Sequence, residues 1–93
     1  MPHFTVRFEI ENAGNNDYDQ LEERLILFNF NEIIECEDGN TYILPRGEYR
    51  ISGEMTRQKV LDLAILASSM FKDRCKILVT ESSGTAWTGL QKI

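Results

Sequence analysis

Two arginines, Arg7 and Arg50, are the residues of this chain best placed to bind an anion. Each falls at a polar position of a segment in which apolar and polar residues alternate. Phe4, Val6, Phe8 and Ile10 alternate with His3, Thr5, Arg7, Glu9 and Glu11, and Tyr49 and Ile51 alternate with Glu48, Arg50 and Ser52. A period of two makes each segment a strand with one buried and one open face. Thr5, Arg7, Glu9, Arg50 and Ser52 then share the open face. Two guanidiniums on neighbouring strands suit a phosphate or a carboxylate. The plainer alternative is a cross-strand Arg–Glu ladder, contributing a few tenths of a kcal/mol up to about 1. His3 reads as a lone surface histidine. No GxSxG, Cys–His pair, HExxH or P-loop is present.

The order of periodicities sets where these side chains point. It runs strand, helix, strand, strand, helix, strand within 93 residues, which is the split βαβ of an α+β, ferredoxin-like βαββαβ domain. The expectation is one domain, 1–93, with an antiparallel sheet and two helices on one face. Asn16 or Asp17 caps the first helix, and Tyr18, Leu21, Leu25 and Phe28 recur at three- and four-residue steps as its buried stripe. Asn29-Phe30-Asn31 ends it. Ile33 to Glu37 reads as the second strand. The turn signal Glu37-Asp38-Gly39-Asn40 predicts that Thr41 to Leu44 pairs back as an extra hairpin arm. Thr56 caps a second helix over Arg57 to Lys72, with Val60, Leu63, Ala64, Ala67, Met70 and Phe71 on one face. Lys76 to Thr80 is the last strand.

Cys36 and Cys75 fall on the two edge strands of such a sheet, too far apart for a disulfide. Two cysteines and one histidine make no zinc site, so no metal ligand set is expected. Beyond Ser82-Ser83-Gly84, the tail 84–93 carries Trp87, Leu90 and Ile93. It is expected to fold over the open face or to add a C-terminal strand exchanged with a second subunit. Leu78, Trp87 and Leu90 are then dimer or partner contacts. Packing of Trp87 within its own chain is the alternative.

The formal net charge is −5, unevenly spread. From Glu9 to Asp38 the acidic residues outnumber the basic ones ten to one, the one being Arg24. From Arg46 to Lys76 seven basic residues face four acidic ones. A uniformly acidic chain argues against nucleic acid as partner, whereas this asymmetry leaves room for a local basic surface. No apolar run approaches the roughly 20 residues of a membrane span, and the N-terminus leads straight into a strand. A cytoplasmic protein with no membrane partner is expected.

Across nearly the whole domain the chain resembles the GhoS-type antitoxin endoribonucleases, which are similar to the small ferredoxin-like nucleases of CRISPR adaptation. The likeness rests on Val6-Arg7-Phe8-Glu9, on Asn29-Phe30 followed by Ile33-Ile34, on Glu37 with Gly39, and on Tyr49-Arg50-Ile51 before Val60-Leu61-Asp62-Leu63. The resemblance implies a cytoplasmic antitoxin that cleaves a toxin messenger RNA. It implicates an aromatic residue on the third strand, matched by Tyr49, and an arginine on the first helix. Glu22 stands at that arginine's position, and Arg24 is the nearest arginine.

Two functions therefore stand side by side. The first is a small RNA-binding or endoribonuclease-like antitoxin, homodimeric, with Arg7 and Arg50 on nucleic acid and Glu9, Arg24 and Tyr49 as catalytic candidates. No cofactor is called for, and a divalent metal at Glu9 is left open. The second is a non-catalytic protein-interaction module or inhibitor that acts on a protein partner through an acidic surface.

Overall fold

The first alternating segment becomes the middle strand of the molecule. The computed structural model describes residues 1–93. In it β1 (His3–Ile10) lies between β4 (Glu48–Ser52) and β5 (Cys75–Ser82), antiparallel to both. Val6 stands opposite Tyr49 on one side and Val79 on the other. Because successive side chains alternate faces, Phe4, Val6, Phe8 and Ile10 are all buried beneath the sheet, as the alternation predicts. Helices α1 (Asp17–Leu27) and α2 (Arg57–Ala67) supply the other half of the core with Leu21, Leu25, Val60, Ala64 and Ala67. The fold is the expected α+β arrangement, with both helices on one face. No helix is long and apolar enough to cross a membrane.

Both helix starts follow from short-range chemistry. The Thr56 hydroxyl accepts from the Lys59 N–H at 3.1 Å, an N-cap. At α1 the capping side chain is absent; instead the Asp17 carboxylate accepts from the Gly14 N–H at 2.7 Å and holds the preceding loop. The end of α1 is more consequential. Asn29 takes a φ of 69°, its N–H reaches the Ile26 carbonyl, and the Phe30 N–H reaches the Leu25 carbonyl at 3.0 Å. This is a Schellman motif with asparagine in the left-handed place of glycine. It plants Phe30 in the core, edge-on to Phe8 at 6.4 Å, and delivers Asn31 beside β4.

Three stretches depart from expectation. Helix α2 stops at Ala67 rather than Lys72, because the Ser68 hydroxyl turns back to the Ala64 carbonyl at 2.8 Å and competes with the helical ladder. A 3-10 turn, Ser69–Arg74, follows, so Phe71 is buried but Met70 is 42% exposed. The second change concerns β2 (Ile33–Glu35) and β3 (Thr41–Ile43), which form a separate hairpin. Only Asn31 reaches the main sheet, exchanging hydrogen bonds with Arg50 at 2.8 and 2.7 Å. The Asn31 side chain then accepts from the Ile33 N–H at 3.2 Å, an Asx turn that bends the chain away. The Glu32 carbonyl accordingly accepts from Leu44, on the hairpin side. So Cys36 lies at the hairpin turn and not on an edge of the main sheet; both cysteines are free and half-buried.

The third departure is the tail. Within the chain it runs beside the hairpin rather than across the open face. The Ile43 N–H donates to the Gln91 carbonyl and the Ile93 N–H to the Thr41 carbonyl, each at 2.9 Å, so the tail borders β3. Trp87 packs edge-on against Tyr42 at 5.4 Å. Leu78 is left 64% exposed on β5.

Gly47 closes the β3–β4 connection against β1. Its φ is +88°, the Phe8 N–H donates to its carbonyl at 2.7 Å, and a Cβ there would sit 2.6 Å from the Phe8 carbonyl oxygen. Gly47→Ala combines a left-handed penalty of about 1–2 kcal/mol with a clash against backbone that cannot rotate aside. Thermal unfolding should show a fall of roughly 10 °C or more in melting temperature; an unchanged midpoint would contradict this placement.

Candidate functional site

The bend at Asn31 lifts the hairpin off the sheet and opens a cleft between them. The cleft has two connected lobes of about 330 and 380 Å³, both lined by His3, Ile34, Glu35 and Arg50. Its sheet wall is polar because the even positions of β4 and the odd positions of β1 face outward. Register puts His3 opposite Ser52, Thr5 opposite Arg50 and Arg7 opposite Glu48. The tail contributes Trp87 to the smaller lobe.

The two arginines are separated by this register. Arg7 is committed to Glu48, its Nη1 donating to the carboxylate at 3.1 Å. Arg50 is half-buried and has no carboxylate within ion-pair distance, so its guanidinium is the cation free to take a ligand in the cleft. Glu9 does not join them. It faces Lys76 at 3.8 Å, which also reaches Glu11 at 3.3 Å. The pairs Arg7–Glu48 and Lys76–Glu9 are the cross-strand ladder that the alternation admitted as the plainer alternative. Arg50 is the exception to it.

The catalytic candidates do not converge. Glu9 stands on the open sheet face, exposed beside Lys76. Arg24 lies on the outer side of α1, over the Phe28 ring at 5.5 Å. Tyr49 points the other way from Glu9, its ring in the core and edge-on to Phe8 at 5.8 Å. Among the expected partner contacts, Trp87 and Leu90 are half-buried in their own chain and Leu78 is exposed. No group of acidic, histidine or cysteine side chains is placed to hold a metal ion.

His3 and Ser52 were missed as site residues. The imidazole Nδ1 and the Ser52 hydroxyl are 2.6 Å apart at the larger lobe. The alternation of β1 and β4 contained that signal, since both residues fall at open-face positions. The hairpin wall carries the opposite charge, with Glu35 and Glu37 lining the smaller lobe. At the hairpin turn the Asn40 N–H and side-chain amide both donate to Asp38, holding that carboxyl below its ordinary value.

A second concavity lies on the opposite side of β4. A recess of about 200 Å³ is bounded by α1, Glu32 and the Pro45-Arg46-Gly47 turn. The Glu22 and Glu32 carboxyl groups are within hydrogen-bonding reach of each other. That contact, then burial, then the charges of Glu32 and Asp19, push the Glu22 carboxyl above its ordinary value. Burial and the same three carboxylates push the Tyr49 hydroxyl up as well. Arg46 stands over the Tyr18 ring at 4.6 Å and forms no ion pair with these acids.

No protein-family model matches the chain, and no curated protein matches it at a significant level.

The carboxyl pair has a consequence for stability. A carboxyl raised in the folded chain binds more protons folded than unfolded, so stability falls as pH rises above the ordinary carboxyl value of 4.5. Glu32→Gln removes the repulsion and should raise the melting temperature at neutral pH by about 1–3 °C. The gain should shrink as the pH falls through the ordinary carboxyl value, because protonation of Glu22 removes the repulsion. A gain that persists or grows in acid would contradict the pairing.

Proposed function

We propose that the chain is a small cytoplasmic RNA-binding antitoxin of a toxin–antitoxin system, and that it holds single-stranded RNA in the cleft between sheet and hairpin. The observation that carries this reading is Arg50, the half-buried arginine on the sheet wall that no carboxylate neutralises. A guanidinium of that kind suits a phosphate. Trp87 offers a ring on which a base can stack, and such stacking is worth roughly 1–3 kcal/mol per base. Glu35 and Glu37 can accept from exocyclic amino groups, as carboxylates do from cytosine. The mixed lining therefore suits a nucleotide better than a bare phosphate. The antitoxin setting is supplied by the resemblance to GhoS-type antitoxins. The dispersal of Glu9, Arg24 and Tyr49 favours binding over cleavage.

Homodimerisation belongs to the same proposal. β5 pairs only with β1, so its outer edge carries backbone groups without a strand neighbour, and Leu78 is exposed beside that edge.

Filter binding of a mixed single-stranded RNA pool tests the cleft. Arg50→Ala should weaken retention about tenfold and reduce the salt slope by about one phosphate contact. Arg7→Ala, which removes an arginine already held by Glu48, should change retention by less than about threefold. Equal losses in the two variants, or none in Arg50→Ala, would remove the cleft from the account. Wild-type protein that retains no RNA would shift the function to the acidic surface and a protein partner.

A further inference from the structure

Arg50 suits one phosphate, and its neighbours on the sheet wall carry no opposing or added cation. Thr5 stands opposite Arg50. Two residues along β4, Ser52 stands opposite His3, and His3 faces Ser82 on its other side. Alternation points all of these away from the core. A lone guanidinium flanked by hydroxyls and an imidazole differs from a basic groove that tracks one phosphate after another. The next group that a strand meets beyond Arg50 is therefore met by a hydroxyl, which suits a sugar better than a second phosphate.

Ser52 is the hydroxyl prepared for that contact. It lines the larger lobe together with His3 and Arg50. Its oxygen lies 2.6 Å from His3 Nδ1, which holds the side chain on the wall. Ser82, by contrast, is engaged by the tail, 3.4 Å from the Gly84 carbonyl and 3.2 Å from the Thr85 hydroxyl. A serine hydroxyl has one proton and two lone pairs. When it donates to an unprotonated Nδ1, its lone pairs stay open to accept. When an Nδ1–H donates to it, its own proton stays open to donate. A ligand group that both donates and accepts fits either arrangement, and the ribose 2′-hydroxyl is such a group. Arg50 and Ser52 are two positions apart on one face, so their Cα atoms are roughly 7 Å apart. That spacing is suited to a ribose and the phosphate beside it.

We propose, on the reading of this cleft as the RNA site, that Ser52 hydrogen-bonds the 2′-hydroxyl of the ribose next to the phosphate held by Arg50. His3 is the positioning residue for Ser52, and the pair makes the cleft prefer RNA to single-stranded DNA. Both residues are exposed. A deoxyribose therefore leaves Ser52 to water instead of stranding it, and the preference is about five- to tenfold rather than absolute.

Filter binding of short single-stranded pools of mixed sequence tests this. One pool has ribose, one has deoxyribose with uracil in place of thymine, and one has 2′-O-methylribose, so that only the 2′ position changes. The wild type should retain the ribose pool about five- to tenfold more tightly than either of the others. Ser52→Ala should bring ribose retention down to the deoxyribose level and leave deoxyribose retention within about twofold. Ser52→Thr keeps the hydroxyl and should keep the preference. His3→Ala should lower the ratio about threefold, and His3→Asn, which puts an amide at the Nδ1 position, should lower it less. Arg50→Ala should weaken both pools together and leave the ratio unchanged. Equal retention of ribose and deoxyribose by the wild type, or an equal loss of both in Ser52→Ala, would overturn the proposal and leave nucleic-acid binding in the cleft standing. Retention of neither pool would overturn both.

Discussion

The pair of backbone hydrogen bonds between Asn31 and Arg50 is the constraint on which both concavities depend. It is the last point at which the chain leaving α1 pairs with the main sheet. One residue later the pairing has passed to the hairpin, through the bond between Glu32 and Leu44. Had the pairing continued along β4, the hairpin would lie in the plane of the sheet and Arg50 would face open solvent. Because it breaks there, Arg50 becomes one wall of a cleft and Glu32 is turned back toward Glu22. The Schellman turn at Asn29 and the glycine at 47 place the two strands that meet at this bridge. Burial of Phe30 against Phe8 anchors it to the core.

Charge on this molecule works locally. A net charge of −5 repels a polyanion at long range, but such repulsion is largely screened beyond about 8 Å at physiological salt. What a ligand meets at contact is the wall it touches. On the sheet face most charges cancel in cross-strand pairs, worth only about 0–1 kcal/mol each because they are exposed. Arg50 alone is uncancelled there. On the helix side of β4 the imbalance is reversed, and the crowding of Glu32 and Asp19 pushes the Glu22 carboxyl above its ordinary value. One strand thus separates a cation-bearing cleft from an acidic recess, simply because alternate residues point to opposite faces.

Much of this was legible in the residues. The alternation of β1 and β4 placed every core side chain of both strands on the correct face, and with them the outward direction of Arg7 and Arg50. The stripe on α1, the Thr56 cap and the Asp38-Gly39 turn each followed from local chemistry. Residues 29–32 were harder to read. Asparagine is a weaker signal than glycine for a left-handed cap, and an Asx turn inside an apparent strand leaves no mark in the apolar pattern. The early end of α2 reflects one serine hydroxyl competing for a backbone carbonyl. The tail was read as an apolar segment in need of cover, but which surface covers it is decided by long-range packing of Trp87 on Tyr42. The meeting of Glu22 with Glu32 depends on the same bend. The His3–Ser52 contact was available from register, but only once the strands were aligned residue by residue.

Where single-stranded RNA touches the protein decides between the cleft and every other surface. Backbone amide and indole resonances of the isotopically labelled chain, followed through titration with a short single-stranded RNA, measure this directly. The expected result is a set of shifts confined to the cleft, at His3, Glu35, Arg50, Ser52 and the Trp87 indole, with α1 unmoved. Shifts centred on α1, or none at a saturating excess of RNA, would contradict the assignment of the cleft as the nucleic-acid site.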